Sequence, residues 1–211
     1  MSPKVSEAHL EQRRQQILDA AVTCFARRGF HEATLTDICE QAGLSRGAVY
    51  HYYKSKEEII AAIRERSAGG YEPLLAVLDG RGRSLGGLAQ FLRLAFESMT
   101  APGSDRENRL GVLLWAEALL NPRILEGQRE VMSQLREPMS AAIVEAQRRG
   151  EIDPTLDAAH VGHVLVGAVL GFQIQRAWDP ELDPAAAADV IESLLLRPLV
   201  PADTTAPAVS H

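Results

Sequence analysis

Two cysteines, Cys24 and Cys39, are all that 211 residues provide. Both fall on the apolar faces of predicted helices, so they read as buried, reduced thiols and not as a redox pair. The N-terminus is polar through Arg14, which leaves no apolar segment of the kind that directs secretion. The longest apolar run, residues 161–174, is interrupted by His163 and is too short for a bilayer. No membrane partner is expected, and a cytoplasmic location is. Also missing are a Walker loop, a dinucleotide-binding glycine fingerprint and a nucleophile elbow, so no catalytic group, cofactor or enzyme activity is indicated. His160 and His163 lie one helical turn apart, a spacing two metal ligands can share, yet no third ligand is in sight and no metal is expected. Strand formers are sparse, and 46% hydrophobic with 24% charged residues is the balance of an ordered globular chain, here an all-α one.

A positive excess is lacking too. The net charge of −6 looks wrong for a nucleic-acid partner until the chain is divided. Residues 1–56 carry eight Lys and Arg against six Asp and Glu, or +2, which leaves −8 on the remainder. One end suits a phosphate backbone and the rest repels it. So small an excess argues against tight sequence-independent binding, which needs many neutralised phosphates.

The pattern that organises the chain is residues 34–56, TLTDICEQAGLSRGAVYHYYKSK. Thr34 and Asp37 can form a capping box, so a helix starts there. Leu35, Ile38, Cys39 and Ala42 share one face, and Gly43 tolerates the left-handed backbone of a sharp turn. Leu44 can plug the gap between two helices, and Ser45 can cap a second helix reaching about Tyr52. This is helix-turn-helix spacing. Val49 points inward, leaving Ser45, Arg46, Gly47, Ala48, Tyr50, His51 and Tyr52 around the exposed faces. In a major groove, Arg46 is the side chain able to read guanine in bidentate fashion. Thr36, Tyr50, Tyr52 and Lys56 are candidates for positioning phosphates, and His51 can serve either role. The alternative for the tyrosines is packing of this helix on its neighbours, which is the expected role of Tyr53.

Together with the long helix before it, this stretch resembles the TetR family of bacterial transcription regulators. The resemblance rests on Arg14, Ile17, Ala20, Phe25, Gly29, Phe30, Thr34, Ile38, Ala42, Gly43, Leu44, Ser45, Gly47, Tyr50, Tyr52, Tyr53, Lys54, Lys56 and Ile59. It implies an all-α homodimer with a DNA-binding head and a larger ligand-binding and dimerisation body. Trp115 and Glu117 followed by Asn121-Pro122 resemble, more weakly, bodies of the choline-responsive repressor type. On this reading residues 1–8 are a loose arm, 9–54 the head, 55–199 the body and 200–211 a disordered tail. The partners implied are a pseudo-palindromic double-stranded DNA operator and a small-molecule effector. The alternative is a helical sensor or carrier that acts through a protein partner without DNA.

Helix signals continue through the body. Helices are expected from Ser55, around Leu88 to Met99, over residues 106–120, from Pro122 to a stop at Gly150, over residues 157–178 and from Pro184. Pro138 is expected to kink its helix and leave room for a cavity. Phe91, Met99, Trp115, Met132, Met139 and Phe172 are candidates for an apolar effector site, although helical spacing alone also fits ordinary core. Glu117 favours a cationic effector if it faces inward, and Gln173 can orient one. Residues 157–178 are apolar nearly all round, with Gly167 and Gly171 open to a neighbouring backbone. By resemblance to the family, Val161, Gly167 and Gly171, with Val190, Ile191 and Leu194 of the last helix, are assigned to a four-helix dimer interface, the alternative being an intramolecular core.

Overall fold

The computed structural model describes residues 7–69, 71–101 and 103–200, without the side chains of Ala68 and Arg81. The expected arm falls outside this range except for Glu7 and Ala8, and so does the expected tail beyond Val200. Ten α-helices are described: α1 (Glu7–Glu32), α2 (Leu35–Ala42), α3 (Arg46–Tyr52), α4 (Lys56–Gly69), α5 (Glu72–Ala76), α6 (Leu85–Glu97), α7 (Ser104–Ala118), α8 (Pro122–Arg148), α9 (Ala158–Trp178) and α10 (Pro184–Ile191). Among the described residues no strand forms.

Local chemistry sets the boundaries. Gly29 breaks the geometry of α1 at φ 76° and ψ 172°, but one more turn follows to Glu32, so the glycine interrupts the helix and does not end it. Gly43 closes α2 at φ 64°, and the N–H of Leu44 returns to the Cys39 carbonyl at 3.0 Å, which satisfies an orphan acceptor at the helix end. Ser84 caps α6 through the Gly87 N–H, and Asp183 caps α10 ahead of Pro184. Helix α8 runs through Pro138 as one continuous element. A proline removes a single N–H, and the rest of a 27-residue ladder remains.

The chain divides into two compact units. The first holds the described residues up to 71, 103–131 and 176–180. Its core joins Ile17, Phe25, Ile38, Val49, Ile59 and Ile63 to Leu110, Leu114, Ala118 and Ile124. The apolar faces of α1 to α4 are thus covered by α7 and the first turn of α8, and α1 packs along α7. The second unit holds residues 72–101, 132–175 and the described residues from 181. Leu88, Phe91, Leu92 and Phe96 of α6 and Met139 and Ile143 of α8 are buried there, with Phe172 of α9 5.1 Å from Phe96 between ring centres.

Helix α9 is long and apolar enough, by length and composition, to cross a membrane, where the shorter apolar run had fallen below that length. Few of its residues are buried: Gly162, Leu165 and Val166. Within one chain the helix is thus not buried on two sides.

Candidate nucleic-acid interface

The reading head is built from three interlocking caps. The Thr34 N–H donates to Asp37 Oδ2 at 2.8 Å, and the Asp37 N–H donates to Thr34 Oγ1 at 3.2 Å. Arg28 of α1 closes on the same carboxylate at 2.6 Å. The Thr34 backbone and hydroxyl bonds, with Arg28 beside them, hold the Asp37 carboxyl below the usual carboxylate range. Ser45 then accepts from the Ala48 N–H at 3.2 Å, which fixes the start of α3. Gln16 of α1 donates to the Ala42 carbonyl at 2.7 Å and ties the turn to the long helix. Caps of this kind make the two short helices stand in one orientation, which a base-reading helix requires.

On that frame Ser45, Arg46, Gly47 and His51 are exposed, as is Thr36 at the start of α2. Tyr50 is 38% exposed. Ala48 is half-buried, and Val49 is buried as expected. Among the described residues the Arg46 guanidinium has no ion-pair partner, so its fork of donors is open to a ligand. Tyr52 and Tyr53 both pack partly against the head core, and Tyr52 meets His51 edge to face at 5.2 Å. Burial raises the Tyr53 phenol above its ordinary value.

Lys56 points elsewhere than its sequence position suggests. Its Nζ donates to the Phe30 and Ala33 carbonyls, the second at 3.2 Å, so two of its three protons serve the end of α1. Lys54 likewise donates to the Tyr50 carbonyl at 2.6 Å, at the end of α3. At the start of α4, half of a capping box forms. The Glu58 N–H reaches Ser55 Oγ, while the Glu58 carboxylate takes the Lys54 N–H.

The expected effector residues are distributed over both units. Phe91, Met99, Met132 and Met139 are buried in the second, where Phe172 and Gln173 are half-buried. Trp115 and Glu117 belong to the first. Glu117 faces His31 of α1 at 3.1 Å, with its side chain 12% exposed. The first unit also carries an open polar cleft of about 540 Å³, lined among others by Gln12, Gln15, Gln16, Asp19, Gln41 and Arg106, which sequence periodicity gives no means of finding.

The expected dimer residues lie in the second unit. Val190 and Leu194 are 54% and 67% exposed, joined by Val164 at 57%, while Val161, Gly171 and Ile191 are half-buried and Gly167 is exposed. A Cβ at Gly167 or Gly171 would meet nothing within 4 Å. Arg93 of α6 holds α10 in place by pairing with Asp189 at 3.0 Å and with Glu192.

Comparison with known proteins agrees with this geometry. Residues 17–63 match the profile of bacterial regulatory proteins of the tetR family, and residues 87–199 match that of the BetI-type transcriptional repressor C-terminal domain. The chain is 48% identical over 65 residues to the uncharacterised HTH-type transcriptional regulator YfiR of Bacillus subtilis, a match spanning 31% of this chain and 32% of that protein. With the HTH-type transcriptional regulator UidR of Escherichia coli it shares 27% identity over 165 residues, 75% of this chain and 78% of the relative. The structure of SmeT, the repressor of the Stenotrophomonas maltophilia multidrug efflux pump SmeDEF, superposes with a TM-score of 0.69 at 26% identity, covering 92% and 94% of the two chains. SmeT is also known as a complex with triclosan. A helix-turn-helix head with these caps, followed by a body matched over residues 87–199, places the chain in the TetR family of transcriptional regulators.

Proposed function

We propose that this regulator works as a cytoplasmic homodimer that represses transcription at a pseudo-palindromic operator and is released when a small molecule binds its C-terminal body. The observation that carries the reading is the exposed start of α3: Ser45, Arg46 and Gly47 stand clear of the protein on a helix capped at its first turn. Arg46 reads a base. Thr36, Ser45, Tyr50, His51 and Tyr52 position the head on phosphates, with Gly47 and Ala48 allowing close approach. Lys56, with two protons already used, adds one donor at most.

The dimer uses the outer faces of α9 and α10. Exposed Val164, Val190 and Leu194, and open space above Gly167 and Gly171, support a second copy over a lipid phase. His160, His163, Gln173, Gln175 and Arg176 lie on the same helix as the apolar residues, and each would need water or a partner in a bilayer. Residues 9–54 act as the head and residues 55–199 as the body, although α7 also completes the head core. The body supplies the effector's surroundings, as suggested by the triclosan complex of SmeT. No chemical step on the effector enters this reading.

Selection from a pool of random duplexes tests it. The enriched sites are expected to show two inverted half-sites, and the Arg46→Ala protein is expected to lose preference at one base position in each. Enrichment of no common sequence would overturn the reading.

A further inference from the structure

Inside the first unit a charged side chain lies against bare helix backbone. Arg64 of α4 lays its guanidinium over Gly127 of α8 so closely that a Cβ there would stand 2.0 Å from Nη1 and 2.1 Å from Cζ. Glycine leaves that slot open. Arg64 is half-buried, and among the described residues it has neither a carboxylate nor a hydrogen-bond acceptor. A half-buried guanidinium without a counter-ion leaves its planar fork of donors unmatched, and a carboxylate matches that fork.

The neighbouring chemistry has the same sense. Gln128, beside Gly127, is 6% exposed and lies on the inward side of α8 with Ile124 and Val131. Its carboxamide makes no hydrogen bond among the described residues. The acid expected to attract a cation, Glu117, is already held by His31 at 3.1 Å.

We infer that the effector carries a carboxylate, which Arg64 takes as a bidentate pair beside Gly127. The inference rests on the effector control proposed above and names the ligand's chemical class. Pairing draws the guanidinium off α8 and loosens its contact with α4. Three residues separate helix α4 from the end of α3, and α4 is bonded through Lys56 to the end of α1, so its displacement reaches the reading head within one unit.

The test uses the full chain with hexanoate and benzoate, their uncharged amides, and choline. At millimolar concentration the two acids are expected to raise the thermal unfolding midpoint and to weaken operator binding about tenfold, while the amides and choline do neither. Arg64→Met is expected to keep operator affinity and lose the response to acid. Arg64→Lys, which keeps the charge without the fork, is expected to respond only in part and decides the matter if the Met variant fails to fold. Silence with both acids, an equal effect of amide or choline, or an undiminished response in either variant overturns the proposal. The thermal readout needs no DNA, so it judges the acid site even if operator binding, and with it the parent reading, fails.

Discussion

His31 of α1 and Glu117 of α7 face each other at 3.1 Å, one 76% exposed and the other 12%. The pair joins the helix before the reading head to a helix that sequence order assigns to the body, over a shared core in which Leu110, Leu114 and Ala118 meet Ile17 and Phe25. Packing carries this contact more than charge does, because one partner is largely in water. Glu117→Gln is expected to lower unfolding stability by no more than about 1 kcal/mol in a urea titration. Leu114→Ala, which opens a cavity in that core, is expected to cost about 2–5 kcal/mol. Equal losses for the two would assign the seam to the ion pair.

Gly43 permits a second prediction. It sits at φ 64°, and a Cβ there would touch nothing within 4 Å. Any cost of Gly43→Ala is therefore backbone strain, expected at about 1 kcal/mol. DNA affinity is expected to fall with the population of the correctly turned head. Circular dichroism melts and operator titrations of the same preparation check both.

Asp37 sets an acid dependence. Its carboxyl is held low first by the Thr34 backbone bond, then by the Thr34 hydroxyl and Arg28. A group with a depressed folded value contributes stability above its unfolded pKa, about 3.9, and that contribution is lost as pH falls through the folded value. The stability deficit of Asp37→Asn relative to wild type is thus expected to be full at neutral pH and to shrink below about pH 4. Urea titrations at stepped pH measure it, and a deficit constant down to acid pH would remove Asp37 from the account.

Leu194 is 67% exposed on the turn following α10. On the dimer reading Leu194→Glu buries charge against the second copy and is expected to shift the mass measured by light scattering from dimer to monomer. The monomer's helix content is expected to remain, because Leu194 adds little to the core of its own chain. A monomeric wild type would contradict the assignment of α9 and α10.

The reading head was legible because its signals are local. Thr34, Asp37, Gly43 and Ser45 act on backbone groups within a few residues, and the structure shows each cap formed. The contacts of Lys56, Glu117 and Arg28 were not legible for the opposite reason. Their partners, the Phe30 and Ala33 carbonyls, His31 and Asp37, lie on other helices, where helical periodicity carries no information. The apolar faces of α7 likewise revealed that this helix is buried, but not that it is buried against α1. Gly127 gave no signal beyond being a glycine in a helix, since the Arg64 guanidinium above it is visible only in three dimensions.

Sequence-specific DNA binding is measured by fluorescence polarisation. The full chain is titrated against labelled duplexes from the DNA flanking its own coding region and against a random duplex, over a range of salt concentrations. Tight binding to one flanking segment is expected, weakened as salt rises, with far weaker binding to the random duplex. Equal and weak binding to both, even at low salt, would contradict it.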